Sequence, residues 1–343
     1  MTSVDRSTST PGAHHPSRAL VLAAFAAIYL IWGSTYLAIK YAVATVPPFF
    51  MTGARFFIAG CALYGWSLVR ARRDGVDAEP AQSAAVIRRR WRDAFIVGAL
   101  LIVGGTALVG WAELSVPSGI TSLVLATTPL WMVLMESVIE SKRAPTPRVL
   151  AGVVVGILGL AVLVGPSLLA ADGEFSLLGI ASLTLAALAW SGGAMFSRRA
   201  AAPPSPVRAT GMQMIAGSLL SVAAGFAMGE HHHFAPTQIT PASIIAVAYL
   251  VVAGALVGFT AYLWLMRVST PSRVTTHAYV NPVVAVLLGW AILGEPVTAR
   301  TAVAMAIIVV AVVLIVSAPS GVRSPSVRPV LSFRHGELAE RRS

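Results

Sequence analysis

The chain has 343 residues, of which 56% are hydrophobic and only 11% are charged, and its mean hydropathy is +0.77. Soluble domains carry about 25% charged residues, so a water-soluble fold would leave too much apolar surface uncovered. The formal net charge of +11 would otherwise indicate a nucleic-acid partner, but the placement of the charges explains it differently. Cys61 is the only cysteine, which excludes an intrachain disulfide and a thiolate metal site.

Apolar runs long enough to cross a bilayer divide most of the chain. A crossing helix needs about 20 apolar residues at a rise of about 1.5 Å each, and helices satisfy the backbone groups in lipid. The expected fold is all-α, with ten transmembrane helices. The predicted spans are Ala19–Ile39, Phe49–Val69, Ala94–Trp111, Ser118–Ile139, Pro147–Val164, Leu177–Phe196, Gly211–Met228, Ile244–Met266, Val274–Leu293 and Thr301–Val316.

Both ends of the chain are polar. Residues 1–17 are rich in Ser, Thr, Pro and His and are expected to form a disordered cytoplasmic tail, and residues 318–343 a basic cytoplasmic tail. The first apolar run is about 20 residues long and lacks a convincing small-x-small cleavage site. We therefore interpret it as a retained membrane helix rather than a signal peptide.

The Lys and Arg residues set the predicted orientation. With a cytoplasmic N-terminus, 22 of the 25 basic residues lie on the cytoplasmic side, as the positive-inside rule requires. Only Lys40 and Arg300 fall outside, and Arg55 lies within a span. Both termini are therefore expected in the cytoplasm. The positive charge reflects topology, and no nucleic-acid partner is expected.

Short motifs recur in the two halves of the chain in the same order and at nearly constant spacing. The matched pairs are Trp32 with Trp190, Lys40 with Arg198, Thr52-Gly53 with Thr210-Gly211, Arg55 with Gln213, and Pro129 with Pro282. A unit with an odd number of spans is inverted on its second passage through the membrane. We therefore expect two inverted five-helix repeats, residues 18–165 and 166–317, with substrate bound near the midplane between them.

Several of these segments resemble EamA domains of the drug/metabolite transporter superfamily, and some resemble its YedA-type permeases in particular. The segments are Trp32–Lys40, Pro47-Pro48 with Gly53–Phe56, Ala112–Gly119, Tyr279–Gly289 and Gly294-Glu295. The resemblance covers roughly residues 20–317 as two EamA units. It implies carrier-type transport of small metabolites, often export, in a bacterial inner membrane.

Charged residues inside a bilayer are functional hypotheses by default. Lys40, Arg55 and Glu113 are all expected in the outer third of the helix bundle. We interpret them as an ion-pair cluster that closes an external gate or meets a charged substrate. The alternative is a set of interfacial charges that snorkel to water, which suits Lys40 better than Arg55.

Aromatic residues on one helix face predict a wall of the substrate path. Trp32 and Tyr36 share a face with Lys40, because they are four and eight positions apart. Trp190 would form the matching wall in the second half, with Trp111 and Tyr262 as neighbours. The alternative is an aromatic belt at the membrane interface.

Two prolines and two polar side chains complete the candidate site. Pro129 and Pro282 each remove a backbone donor in the middle of a predicted span, which predicts a hinge or binding site at matching places. His277 and Asn281 are four residues apart and share a helix face, so they are the preferred polar contacts. His277 is a candidate proton carrier; a satisfied structural histidine is the alternative.

The sequence as a whole favours a secondary transporter that works by alternating access on small metabolites, amino acids or drug-like compounds. No phosphate-binding Gly-rich loop or catalytic constellation is recognisable, so no enzyme activity and no cofactor are expected, and the run His231–His233 is interpreted as solvated rather than metal-binding. Membrane lipid and a small-molecule substrate are the expected partners. Proton coupling and a homodimer through glycine-containing helices remain open, and a passive channel or facilitator, or a membrane-embedded enzyme or lipid-handling protein, is the alternative.

Overall fold

The computed structural model describes residues 17–74, 82–136, 146–169, 176–268, 274 and 276–317, and every regular element among them is a helix. Except for Ser17, the two predicted tails lie outside these residues. The first half contains α1 (Arg18–Val43), α2 (Pro48–Asp74), α3 (Ala84–Ala112), α4 (Ser118–Met135) and α5 (Pro147–Leu169). The second half contains α6 (Leu177–Ser197), α7 (Pro206–Ala227), α8 (Pro241–Tyr249 with Leu250–Val257 and Gly258–Val268), α9 (His277–Leu293) and α10 (Ala299–Val316).

Six of the ten described helices have the length and composition of membrane spans. By these measures α1, α3, α4, α6, α7 and α8 are long and apolar enough to cross a bilayer, and α5, α9 and α10 contain shorter apolar stretches. Large apolar side chains remain exposed around the bundle, including those of Leu22, Leu30, Trp66, Leu178 and Ile245. Water does not favour so much exposed apolar surface, whereas the hydrocarbon of a bilayer accommodates it.

Polar caps define where many of the helices begin. A side-chain oxygen of the residue before the helix accepts the backbone N–H three positions later, which satisfies one of the free donors of the first turn. The capping residues are Ser17 for α1, Ser83 for α3, Ser176 for α6, Ser205 for α7, Thr240 for α8 and Thr298 for α10. These caps place the starts of α3 and α7 before the predicted spans. Helix α3 begins at Ala84, ten residues earlier than expected, so the arginines at 88–92 lie on the helix and not in a loop.

The two halves pack against each other through helices at matching positions of the repeat. Helix α1 contacts α8 and α9 of the second half, whereas α6, its counterpart, contacts α3 and α4 of the first half. Helix α2 packs mainly on its counterpart α7, and α5 on its counterpart α10. Corresponding helices of the two halves therefore make corresponding contacts, so the packing between the halves is approximately two-fold symmetric.

The contacts between α2 and α7 show that the matching helices run in opposite directions. Gly53 near the start of α2 faces Val222 near the end of α7, and Tyr64 further along α2 faces Gly211 near the start of α7. Gly53 and Gly211 are the glycines that the sequence repeat aligns. Helices α5 and α10 are antiparallel too, because Gly152 lies against Ile315 and a later glycine of α5 lies against Ile308. The second set of helices is therefore upside down relative to the first.

Three helices depart from regular α-helical geometry. Helices α3 and α8 each contain a π-helical segment at a matching place, Ala99–Ala107 and Leu250–Val257. Helix α4 is interrupted after Leu125 by a turn, and Pro129 lies in the first turn of its second part, Thr128–Met135. Extended π-helical geometry is rare and is frequently found at functional sites. The irregular segments therefore direct attention to the middle of the bundle.

Candidate functional site

An aromatic cluster lies where α1 meets α8 and α9. The ring of Trp32 is 5.3 Å from that of Tyr262 and 5.0 Å from that of His277, and the Tyr262 and His277 rings are 6.2 Å apart. Phe259 adds an edge-to-face contact to Trp32 at 5.8 Å. Such arrangements are favourable beyond the apolar area that they bury. Three of the predicted path residues are thus brought together from three helices.

The π-helical segment of α8 holds the indole of Trp32 in place. Trp32 Nε1 donates a hydrogen bond to the carbonyl oxygen of Gly254 at 3.2 Å. A side chain at Gly258 would overlap that indole, so glycine is needed there for a close approach. The sequence predicts that Trp32 lines the path but does not predict its packing on this segment, since a π-helical segment leaves no recognisable pattern of residue types.

Helix α6 presents Trp190 to α3 in the same way. A Cβ atom added to Gly105 would lie 2.9 Å from Cε3 of Trp190, so this indole also rests on a glycine of a π-helical segment. Each half therefore contributes one tryptophan that packs on the irregular helix of the opposite half. The two glycines that these indoles approach, Gly105 and Gly258, lie at matching places of α3 and α8.

His277 and Asn281 extend the cluster along α9. The Nδ2 atom of Asn281 and the Nδ1 atom of His277 are 3.4 Å apart, as expected for residues four apart on one helix face. Asn281 is buried, and its Oδ1 atom has no hydrogen-bond partner. An unsatisfied buried amide oxygen is costly, which makes it available to a donor group of a ligand.

The outer charged residues Lys40, Arg55 and Glu113 are the predicted gate, and that role stays a prediction. Lys40 Nζ donates to the backbone carbonyl oxygens of Glu113 and, at 3.2 Å, Val116. Both carboxylate oxygens of Glu113 are fully buried and have no hydrogen-bond partner. Among the described residues no salt bridge within 4 Å involves Lys40, Arg55 or Glu113.

Arg55 lies deeper, between α1, α2 and α8. Its side chain is buried, its Nε atom has no hydrogen-bond partner, and its guanidinium carbon is 4.8 Å from the centre of the Phe56 ring. A Cβ atom added to Gly254 would lie 3.0 Å from the Nη2 atom. The guanidinium therefore reaches the same π-helical turn that holds Trp32.

The remaining predicted residues are placed less distinctively. Tyr36 lies one turn beyond Trp32 and close enough to Glu113 for the two groups to interact electrostatically. Trp111 lies in the last turn of α3, and no ring contact joins it to the aromatic cluster among the described residues. Pro282 lies six residues into an uninterrupted α9, because that helix begins at His277 and not at Val274. The two prolines consequently occupy different helical environments.

Two carboxylates that the sequence analysis did not include among the candidate site residues cap helices of the opposite half. Glu295 accepts hydrogen bonds from Ser118 N at 2.7 Å and Gly119 N at 3.0 Å at the start of α4. Glu230, in the connection between α7 and α8, accepts from Phe49 N and Phe50 N at the start of α2. Burial raises the pKa of the Glu230 carboxyl above its ordinary value, although these two donors act in the opposite direction. A glutamate just after an apolar run is the signal that identifies both.

Comparison with known proteins finds one family, whose model matches two segments of the chain. The model of the EamA-like transporter family matches residues 18–165 and again residues 177–317. The inner membrane transporter YedA of Escherichia coli strain K12 is 32% identical over 290 residues, which cover 84% of this chain and 88% of YedA. The chloroplastic WAT1-related protein At3g02690 of Arabidopsis thaliana is 23% identical, over 84% of this chain and 67% of that protein.

A solved crystal structure shares the fold. It matches 87% of this chain and 98% of its own chain with a TM-score of 0.58 and 24% sequence identity. The exposed apolar helices, the two family matches and the similarity to an inner membrane transporter identify a multi-pass transporter of the bacterial inner membrane. The chain belongs to the EamA-like transporter family, which confirms the resemblance of its sequence motifs.

Proposed function

We propose that this protein is a secondary transporter that moves small amphipathic metabolites out of the cytoplasm by alternating access. The observation that carries the proposal is the pair of tryptophans, Trp32 and Trp190, each seated on a glycine of a π-helical segment in matching helices. In alternating access, one half of an inverted repeat changes its packing against the other around a central site. Two equivalent tryptophan–glycine contacts suit such a change of packing, because one contact can separate while the other is kept.

The proposed topology has ten membrane spans with both termini in the cytoplasm, and repeats at residues 18–165 and 166–317. It is supported by the distribution of Lys and Arg and by the antiparallel pairing of α2 with α7 and of α5 with α10. Reporter tags on the two termini should both be found in the cytoplasm. Tags on opposite sides would contradict the topology while leaving the helix packing intact.

The proposed substrate path runs along the aromatic cluster. Trp32, Tyr262 and His277 form one wall, Asn281 supplies an amide oxygen without a partner, and Trp190 forms the corresponding wall in the second half. Tyr36 and Trp111 extend the path toward the outer side, where Lys40 and Glu113 would form the gate. The break in α4 near Pro129 would provide a hinge, because the helix is already interrupted there.

Glu113 is the proposed site of proton coupling, if transport is coupled. Its carboxylate is fully buried without a hydrogen-bond partner, and Lys40 and Glu295 lie close enough to influence its charge. Binding a proton would remove the cost of an isolated buried charge. In proteoliposomes, coupled transport should acidify or alkalinise the lumen when substrate is added. A response without any pH change, or an unaltered response in Glu113→Gln, would exclude this role.

Counterflow in proteoliposomes tests the proposed function. Vesicles loaded with a panel of unlabelled small metabolites should show saturable, trans-stimulated uptake of at least one labelled member. We expect Trp32→Ala and Trp190→Ala each to reduce the rate by about tenfold, which corresponds to the loss of an aromatic contact of roughly 1.4 kcal/mol. Trp66→Ala removes an exposed tryptophan and should leave the rate unchanged.

The main alternative is a passive channel or facilitator. A channel would give flux that rises linearly with concentration and shows no trans-stimulation. That result would contradict alternating access. Equal effects of Trp66→Ala and Trp32→Ala would contradict the proposed role of Trp32.

A further inference from the structure

Arg55 is a buried cation in α2. Its side chain is 6% exposed, and among the described residues no carboxylate lies within 4 Å of it. Its Nε donor is also unused. By contrast, Lys40 directs its ammonium group to two backbone carbonyl oxygens. The charge of Lys40 is therefore stabilised by hydrogen bonds, whereas Arg55 has an unused donor and no carboxylate partner among the described residues.

A buried cation without an anionic partner lowers the stability of the fold. Removing a charge from water costs several kcal/mol unless a partner and hydrogen bonds replace the solvent. The contact with the Phe56 ring at 4.8 Å supplies only about 0.5–2 kcal/mol. A ligand that brought a negative charge to this guanidinium would supply the missing partner.

The surroundings of Arg55 provide other groups for such a ligand. Thr52 lies one turn earlier on the same face of α2, is fully buried, and has no partner for its Oγ1 atom. On the opposite side, the guanidinium and the Trp32 indole both approach Gly254. The guanidinium and the Trp32 indole thus meet beside Gly254, and the Thr52 hydroxyl lies on the same face of α2 as Arg55.

We propose that Arg55 recognises the carboxylate of the transported substrate, which is a monoanionic carboxylate with an apolar or aromatic body. The guanidinium presents a planar set of donors that matches a carboxylate in two-point geometry. Thr52 donates a third hydrogen bond, and the rings of Phe56 and Trp32 contact the apolar body. A single cation suits a monoanion better than a phosphate dianion, which carries nearly twice the charge. This assignment rests on the proposed transport function.

A matched set of three probes tests the charge requirement. Phenylacetate, phenylacetamide and phenethylamine share one apolar body and differ only in the charge of their polar group. Each would be added to the purified full-length protein in detergent at constant chloride concentration, and binding measured by the shift in thermal unfolding. We expect phenylacetate to stabilise the wild-type protein and the amide and amine to have no effect at equal concentration.

Variants at the site connect the effect to Arg55. Arg55→Gln should weaken phenylacetate binding by at least about tenfold, the usual minimum for loss of a charge-assisted pair. Arg55→Lys keeps the charge without the planar donor set and should have an intermediate affinity. Gly254→Ala leaves all charges in place but forces the guanidinium to shift, since the new Cβ atom would lie 3.0 Å from Nη2. Arg148→Gln removes an arginine on an exposed hydrogen bond to Ser317 and is the control.

The outcomes separate this inference from the proposed function. Equal stabilisation by phenylacetate and phenylacetamide, or unchanged binding in Arg55→Gln with normal folding on size-exclusion chromatography, would overturn the carboxylate assignment. If Arg55→Gln does not fold, unchanged binding in both Arg55→Lys and Gly254→Ala has the same meaning. Saturable counterflow of neutral or cationic metabolites that is insensitive to Arg55→Gln would refute the inference and leave the transporter proposal standing. Absence of counterflow for every metabolite would refute the transporter proposal itself.

Discussion

At the scale of single residues, two glutamates hold together the starts of helices that lie far away in the sequence. Glu295 reaches Ser118 and Gly119 because the chain reverses at Gly294, whose φ of +66° is a left-handed conformation suited to glycine. The same carboxylate occupies the space that a side chain at Gly289 would need. These contacts satisfy N–H groups at the first turn of α4, where an anion is also favoured by the helix dipole.

Removal of the Glu295 carboxylate should destabilise the protein measurably. Glu295→Ala eliminates two backbone hydrogen bonds and one bond from the Ser118 hydroxyl, so we expect a loss of about 1–2 kcal/mol. Thermal unfolding in detergent would measure it. Glu136→Ala, which removes a partly exposed carboxylate 3.8 Å from Arg198, should change stability by less than about 1 kcal/mol. Equal losses in the two variants would contradict the capping role.

At the scale of helices, the π-helical segments explain why glycines occur where the tryptophans pack. Gly105 and Gly258 lie within or directly after these segments, and each receives an indole ring. A standard helix with alanine at either place would collide with the ring. The segments therefore combine a close approach with an irregular backbone, both of which suit a region that changes its packing.

Glycine-to-alanine substitutions test this arrangement. Gly258→Ala and Gly105→Ala should each displace a tryptophan and lower stability by about 1–3 kcal/mol, as overpacking of a buried contact does. Tryptophan fluorescence and thermal unfolding would report both effects. Gly65→Ala places a Cβ atom with no neighbour within 4 Å and should be neutral or slightly stabilising, because alanine favours helix. Destabilisation by Gly65→Ala to the same degree would refute the explanation.

Sequence patterns predict the helices well and their irregularities poorly. Apolar runs identify the long helical segments. Three candidate residues, Trp32, Tyr262 and His277, pack together, and their role in the substrate path stays a prediction. The start of α3 before Ala94 is missed because the arginine-rich segment 88–92 has no membrane signature. Whether Lys40 meets a carboxylate or a carbonyl oxygen depends on a separation of a few ångströms between helices, which no spacing along one chain specifies.

At the scale of the whole molecule, the inverted relation of the halves rests on helix direction. The opposing registers of Gly53 with Val222 and of Tyr64 with Gly211 exclude a parallel arrangement of α2 and α7. The repeat of short motifs predicts that inversion, since an odd number of helices in each unit reverses the second. Which helices pair across the interface could not be derived from the sequence, because apolar helix faces are similar to one another.

Disulfide cross-linking tests the register of α2 and α7. In a Cys61→Ser background, the pairs Gly53→Cys with Val222→Cys and Gly60→Cys with Met214→Cys should oxidise readily, because the paired positions are in contact and cross-linking needs Cα atoms within about 7 Å. The mixed pair Gly53→Cys with Met214→Cys should remain reduced. Gel mobility before and after reduction would give the result, and preferential oxidation of the mixed pair would exclude the antiparallel register.

The helix caps that cross between the halves have a consequence for the protein as a folding unit. A fragment that ends before α6 would expose bare amide groups at Phe49, Phe50, Ser118 and Gly119 in an apolar setting, since the carboxylates that satisfy them reside on the other fragment. Each duplicated module has thus become dependent on its twin. Split at the α5–α6 connection, the gene should yield stable protein only when both pieces are synthesised in the same cell.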